Sequence, residues 1–171
     1  MHTWDAITSR RQVRSFTDEP ISDLHVTQIL EAGRRAPSGR NRQPWDFVVV
    51  RDREQLSQLS GVWQGASWID GSQITIALVV PISEEDGGRI ADRFDLGQAV
   101  MQMMIAATDL GIASGQAGCR DQALASNVLG FPDDRECALL IALGYPADRP
   151  LRPIRRPDRR PFDDVAHFDR W

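Results

Sequence analysis

Ala36-Pro37-Ser38-Gly39-Arg40-Asn41-Arg42-Gln43-Pro44-Trp45-Asp46-Phe47-Val48-Val49-Val50 joins two kinds of backbone in one short stretch. Pro37 and Pro44 each fix φ and remove a donor, so the polar residues between them read as a rigid loop. Phe47 to Val50 is a continuous apolar run with three β-branched residues, the pattern of a buried strand. Upstream, Ser22 is an N-cap candidate, and Leu24, Val26, Ile29, Leu30 and Gly33 form a mostly helical stripe that Pro37 stops. The stretch is therefore the hinge of a helix, loop and strand unit.

Outward from it, Glu54 to Leu59 reads as a short helix with Leu56 and Leu59 inward, and Ile74 to Val80 as a second buried strand stopped by Pro81. An acidic loop, Ser83 to Gly88, follows. From Asp92 to Leu110 the residues Leu96, Ala99, Val100, Met103, Met104, Ala107 and Leu110 repeat at spacings of three and four, which predicts a long helix. Met101, Ile105 and Ala106 extend its apolar surface to a second side, which calls for a partner subunit. Ala113 to Gly118 and Glu136 to Leu143 read as two further strands, and Asp121 caps a helix running to Leu129 that Phe131-Pro132 closes. At the start, Thr3 caps a short helix carrying Trp4 and Ile7, and Arg10 to Phe16 reads as helix end and loop. Four strands and about five helices define an α+β domain spanning residues 1–171. After Tyr145 the chain carries Pro at 146, 150, 153, 157 and 161, so 145–171 reads as an extended arm whose far end, Phe162 to Phe168, docks through aromatic anchors.

With 171 residues, 42% of them hydrophobic, five Trp and six Phe, the chain is sized for one domain with a real core. Its longest wholly apolar run, Cys137 to Leu143, is too short to cross a bilayer. No continuous apolar stretch precedes Arg10, so no secretory signal and a cytoplasmic location are expected. A net charge of −4 argues against nucleic-acid or membrane-surface binding, which needs surplus positive charge. Two cysteines, Cys119 and Cys137, are too few for a disulfide framework and read as packed thiols. All twenty basic residues are Arg; without Lys there is no Schiff-base chemistry and no Walker-type phosphate loop. His2, His25 and His167 lack metal-ligand spacing, so no metal is expected, and the glycines Gly111, Gly115 and Gly118 do not spell a dinucleotide fingerprint.

Two Arg groups remain: Arg10, Arg11 and Arg14 early, and Arg155, Arg156, Arg159 and Arg160 late. Six Arg against the single acid Asp158 give residues 149–160 a local charge of +5. A guanidinium offers a planar fork of donors that matches phosphate, at about 1.5–3 kcal/mol per charge-assisted bond. The same runs also suit a solvated face, which is the favoured reading of an Arg run taken alone.

The run Arg10-Arg11-Gln12-Val13-Arg14-Ser15-Phe16, followed by the Pro37 to Trp45 loop, resembles the opening of the FMN-dependent nitroreductase family. Asp95-Leu96-Gly97-Gln98-Ala99, Leu110-Gly111, Leu129-Gly130-Phe131-Pro132, Leu143-Gly144-Tyr145-Pro146 and Arg159-Arg160-Pro161-Phe162 are similar to that family in the same order. The resemblance covers nearly the whole chain, and the loop is its most specific part.

The resemblance implies an α/β sandwich with a central mixed sheet flanked by helices, forming an intertwined homodimer with FMN in clefts at the interface. It places Arg10, Arg11 and Gln12 on the phosphate and ribityl side, Arg159 and Arg160 over the phosphate, and Arg14 near the flavin N1 and O2 edge. Pro37, Ser38, Gly39, Asn41 and Gln43 fit the loop that approaches the flavin, often from the other subunit. Gly118 and Cys119 match the place where a backbone N–H meets flavin N5. Gln12 replaces a small hydroxyl residue of the family pattern. The implied activity is hydride transfer from NAD(P)H through FMN to a nitroaromatic, quinone or similar small acceptor, with no catalytic side chain required because the cofactor carries the chemistry. A flavin-binding protein without turnover, and a reductive dehalogenase or flavin-fragmenting enzyme on the same fold, are the alternatives.

Overall fold

The computed structural model describes residues 1–83 and 85–171. Its five helices are α1 (Thr3–Ser9), α2 (Asp23–Arg34), α3 (Arg53–Ser60), α4 (Asp86–Asp109) and α5 (Gln122–Leu129), and its four strands are β1 (Asp46–Val50), β2 (Ile74–Pro81), β3 (Ala113–Gly118) and β4 (Arg135–Gly144). The order across the sheet is β1-β2-β4-β3. All three strand pairings are antiparallel, with Asp46 opposite Val79, Ile74 opposite Leu143, and Gly118 opposite Leu139. The expected mixed sheet is thus corrected to an antiparallel one. Its parallel character is confined to a single bridge, Gln12 to Ser114, at the free edge of β3.

Helices cover both faces, because both faces are apolar. On one side Ile74, Ile76, Leu78, Ile141 and Leu143 pack against Ile29 of α2 and Leu96, Val100, Met103 and Met104 of α4. On the other, Ala77, Leu140, Ala142 and Ala117 meet Leu56 and Leu59 of α3, Ala125 of α5, and Ala66 and Ile69 of a 3₁₀ turn over Gln64–Gly71. β2 is buried along nearly all its length, as a strand covered on both faces must be. Each large apolar side chain buried in this way contributes about 1.5–3 kcal/mol before chain entropy is subtracted.

The caps at Ser22 and Asp121 are present: their side chains accept from the N–H of His25 and Leu124. Thr3 is not a cap. It is the first residue inside α1, His2 precedes it, and no side chain caps that end. α4 begins at Asp86 rather than Asp92, so part of the expected acidic loop is helical; the Gly87-Gly88 pair hides that turn from a propensity reading. Glu84 of the same loop lies outside the described residues. α2 ends at Arg34, ahead of Pro37, with Ala36 already buried.

Residues 10–16 are not a free loop. Leaving α1, they run alongside β3: Val13 N–H donates to the Ser114 carbonyl at 3.0 Å, and the Gln12 side-chain amide donates to the Gln116 carbonyl at 2.8 Å. The segment beyond Tyr145 returns over it, with Thr17 N–H donating to the Tyr145 carbonyl, Ala147 N–H to the Ser15 carbonyl, and Ile154 N–H to the Thr8 carbonyl. Farther on, the arm is exposed: Phe162, Phe168 and Trp171 are 69%, 77% and 99% accessible, so the expected docking of its end does not occur on its own protomer.

Candidate functional site

The edge of β3 organises the first half of the site. Gly115 sits beneath the incoming segment so closely that a Cβ there would lie 2.2 Å from the Val13 carbonyl oxygen and 2.7 Å from the Trp68 ring. Trp68, from the 3₁₀ turn, supports Arg14, whose guanidinium carbon lies 5.9 Å from its ring centroid. Arg10 is half-buried and Arg14 exposed, and among the described residues neither side chain has a carboxylate or hydrogen-bond partner.

Arg11 differs. Its two terminal nitrogens grip both oxygens of Asp148 at 3.0 and 2.8 Å, and it also donates to the Arg149 carbonyl. The guanidinium holds the Asp148 carboxyl below the ordinary carboxylate range. Arg11 therefore straps the arm to the β3 edge. Arg159 and Arg160 lie beyond that strap, donate to the carbonyls of Asp158 and Asp164, and make no bond to residues 10–14. Within one protomer Arg155 of the late group lines a cleft with Arg11 of the early one, but Arg159 and Arg160 are not bonded to it.

At the end of β3, Gly118 is half-buried, and a Cβ added there would meet nothing within 4 Å. A glycine on a strand with open space beside it has no packing reason inside the chain, and close approach of a ligand is the usual physical reason for one. Cys119 follows, half-buried.

The second half is the loop before β1. Arg40, Asn41 and Gln43 all have left-handed backbone, with φ of 55°, 56° and 50°. Each such residue costs on the order of 1–3 kcal/mol and persists only where neighbours fix it. The neighbours are evident. Ser38 Oγ accepts from Gln43 N–H at 2.9 Å, and the Gln43 amide donates to both the carbonyl and the side-chain oxygen of Asn41 at 3.2 Å. Gly39 N–H donates to Asp95 at 3.0 Å, and Arg42 pairs with Asp92 at 2.7 Å. Asp92 and Asp95 are buried carboxylates one turn apart on α4. They anchor the loop that begins at Pro37, and sequence reasoning assigned them no role; two acids within an apolar helix face were the available signal. Trp68, Gly115 and Asp148 were also missed, the first because residues 61–71 carry no clear period.

The two halves are far apart within one chain. The loop enters β1 at one edge of the sheet, residues 10–14 line β3 at the other, and three strand spacings of about 4.8 Å separate those edges.

Residues 7–66 and 63–145 match the sequence profile of the nitroreductase family. A protein of Archaeoglobus fulgidus named as a candidate NADH dehydrogenase/NAD(P)H nitroreductase is 32% identical, with 96% of each chain covered. The FMN reductase [NAD(P)H] of Bacillus subtilis is 28% identical over 89% of this chain and 69% of its own. Among solved structures, an FMN-dependent nitroreductase from Clostridium difficile superposes with a TM-score of 0.84 at 20% identity, covering 97% and 98% of the two chains. This chain belongs to the nitroreductase family and is an oxidoreductase of that family. No helix among the described residues is long and apolar enough to cross a membrane.

Proposed function

We propose that this chain is an FMN-dependent oxidoreductase that takes reducing equivalents from NAD(P)H and delivers them to a nitroaromatic, quinone or similar small acceptor. The observation that carries this reading is the β3 edge: two guanidiniums without a counter-charge among the described residues, Arg10 and Arg14, flank a strand that ends at an unfilled glycine. Such a donor set fits a planar heterocycle bearing a phosphate.

When bound, FMN supplies a hydride carrier at N5. The residues of the chain do the rest. Arg10 and Gln12 hold the phosphate and ribityl side, and Arg159 and Arg160 add positive charge at the phosphate from the arm. Arg14, supported by Trp68, would supply a fixed positive charge to the N1 and O2 edge of the flavin. The Gly118 N–H, with Cys119 beside it, would be the backbone donor toward N5. Pro37, Ser38, Gly39, Asn41 and Gln43 come from a second copy, since the sheet separates them from β3 of their own chain. No side chain need act as nucleophile or acid.

The working unit is a homodimer. Ile90, Phe94 and Met101 of α4 are 69%, 71% and 43% exposed in the single chain, an apolar face without a partner of its own. A cytoplasmic location agrees with two free thiols. Purified protein should be yellow, release FMN on denaturation, run as a dimer by light scattering, and reduce a quinone or nitro compound with NAD(P)H. A colourless monomer that takes up no added FMN would refute the reading. A yellow dimer without turnover would identify a flavin-binding protein instead.

A further inference from the structure

Cys119 and Cys137 are eighteen positions apart, yet the fold brings them to one place. β3 directs Gly115, Ala117 and then Cys119 toward the α3 and α5 side of the sheet. In a regular β4, Leu140 and Ala142 share that side, so alternation would point Ala138 there and turn Cys137 away. A bulge prevents this: Leu78 pairs with Leu139 while Val79 pairs with Cys137, so Ala138 is skipped and Cys137 turns onto the face of Cys119. Gln122 then clamps both main chains. Its amide nitrogen donates to the Cys119 carbonyl at 3.2 Å and the Cys137 carbonyl at 2.9 Å, and its amide oxygen accepts from Cys137 N–H at 2.8 Å. Cys119 is half-buried and within solvent reach, whereas Cys137 is 1% exposed.

We propose that Cys119 and Cys137 form a reversible dithiol–disulfide site that reacts with hydroperoxides at the end of β3. The chemistry falls into two balanced steps. The Cys119 thiolate attacks the terminal peroxide oxygen; an S–O bond forms, the O–O bond breaks, and the departing alkoxide takes a proton to leave as an alcohol, or as water from hydrogen peroxide. The Cys137 sulfur, giving up its proton, then attacks the Cys119 sulfur; an S–S bond forms, the S–O bond breaks, and water leaves. Two thiols are oxidised by two electrons and one hydroperoxide is reduced. The roles follow from the surroundings: Cys119 is within solvent reach, its Sγ donating to the Asp121 carbonyl at 3.5 Å, whereas Cys137 is buried, its Sγ donating to the Leu139 carbonyl at 3.8 Å. The neighbouring Cys119 thiol together with burial pushes Cys137 up, while Cys119 is lowered. Cys119 is the attacking sulfur and Cys137 the resolving one.

Arg120 and Arg135 lie between the cysteines, so trypsin separates them onto different peptides and a cross-link is diagnostic. The whole purified protein, with its FMN content recorded before and after, is treated with hydrogen peroxide, quenched and digested without reductant. Expected are loss of both thiols, a Cys119–Cys137 linked peptide from protein that runs as a single chain without reductant, and full recovery of both thiols with dithiothreitol. Cys137→Ala should stop at a sulfenic acid on Cys119 that a dimedone reagent captures, and Cys119→Ala should leave Cys137 unreacted. Two unreacted thiols, a link between chains, or a wild-type Cys119 oxidised irreversibly beside a free Cys137 would each overturn the proposal. Because every readout is covalent, it stands or falls independently of whether the protein turns over NAD(P)H.

Discussion

Gly115→Ala should damage both the fold and the cofactor site. The added Cβ would lie 2.2 Å from the Val13 carbonyl oxygen, where a relaxed contact is about 3.5 Å, so the two strands must part by about 1 Å. Trp68, 2.7 Å away on the same side, leaves little room for a sideways escape. A shift of that size takes Val13 N–H out of range of the Ser114 carbonyl and loosens the Gln12 bridge. Overpacking costs about 1–3 kcal/mol and the lost hydrogen bond about 1 more, so the expected destabilisation is about 2–4 kcal/mol. For a chain of this size that is a fall in Tm of about 5–15 °C. Since Arg10 and Arg14 ride on the displaced segment, FMN affinity should fall about tenfold or more, equivalent to about 1.4 kcal/mol. Gly118→Ala is the control: with open space beside it, Tm should hold while FMN binding weakens. Calorimetry and flavin fluorescence titration read both effects. A Gly115→Ala protein with unchanged Tm and unchanged FMN affinity would refute the argument.

Arg10→Ala and Arg160→Ala should each weaken FMN binding more than Arg152→Ala, measured by titration of the apoprotein; equal affinities would remove the two Arg groups from the phosphate. Arg14→Gln should retain FMN but lower its two-electron reduction potential and slow anaerobic reduction by NAD(P)H, and an unaltered potential would take Arg14 out of the mechanism. Arg42→Met leaves the Asp92 carboxylate buried and unpaired and should cost about 1–3 kcal/mol in chemical denaturation. Arg51→Met breaks only the exposed pair with Asp23 and should stay within about 0.5 kcal/mol of the wild type.

Most of the layered fold can be read from the residues themselves. The three-and-four spacing from Leu96 to Ala107 is the buried stripe of α4, and the runs at Ile74 and Cys137 are the central strands, because periodicity reports burial directly. What stayed hidden depends on distant partners. Nothing near Val13 announces that it pairs with Ser114, since edge pairing is decided by the other strand. The β4 bulge at Ala138 exists only relative to β2, and the left-handed turn at Arg40 and Asn41 uses no glycine because Asp95 and Ser38 hold it. That Arg11 is held in the single chain by Asp148, 137 residues away, could not be read from its neighbours in sequence.

The opposite placement of the two half-sites on the sheet has a consequence for concentration. In the proposed dimer, a cleft shared between two chains would make cofactor occupancy a second-order property of the protein. Dilution should release flavin and dissociate the pair together, and added FMN should hold the pair together by mass action. The same arrangement permits complementation: a chain defective at Arg10 mixed with one defective in the Ser38 to Gln43 loop yields a mixed pair in which one cleft collects both faults and the other is intact. Each mixed pair should carry about half the activity of a wild-type pair, so two inactive preparations mixed equally and reassembled, with about half of the pairs mixed, should regain up to about a quarter of wild-type activity.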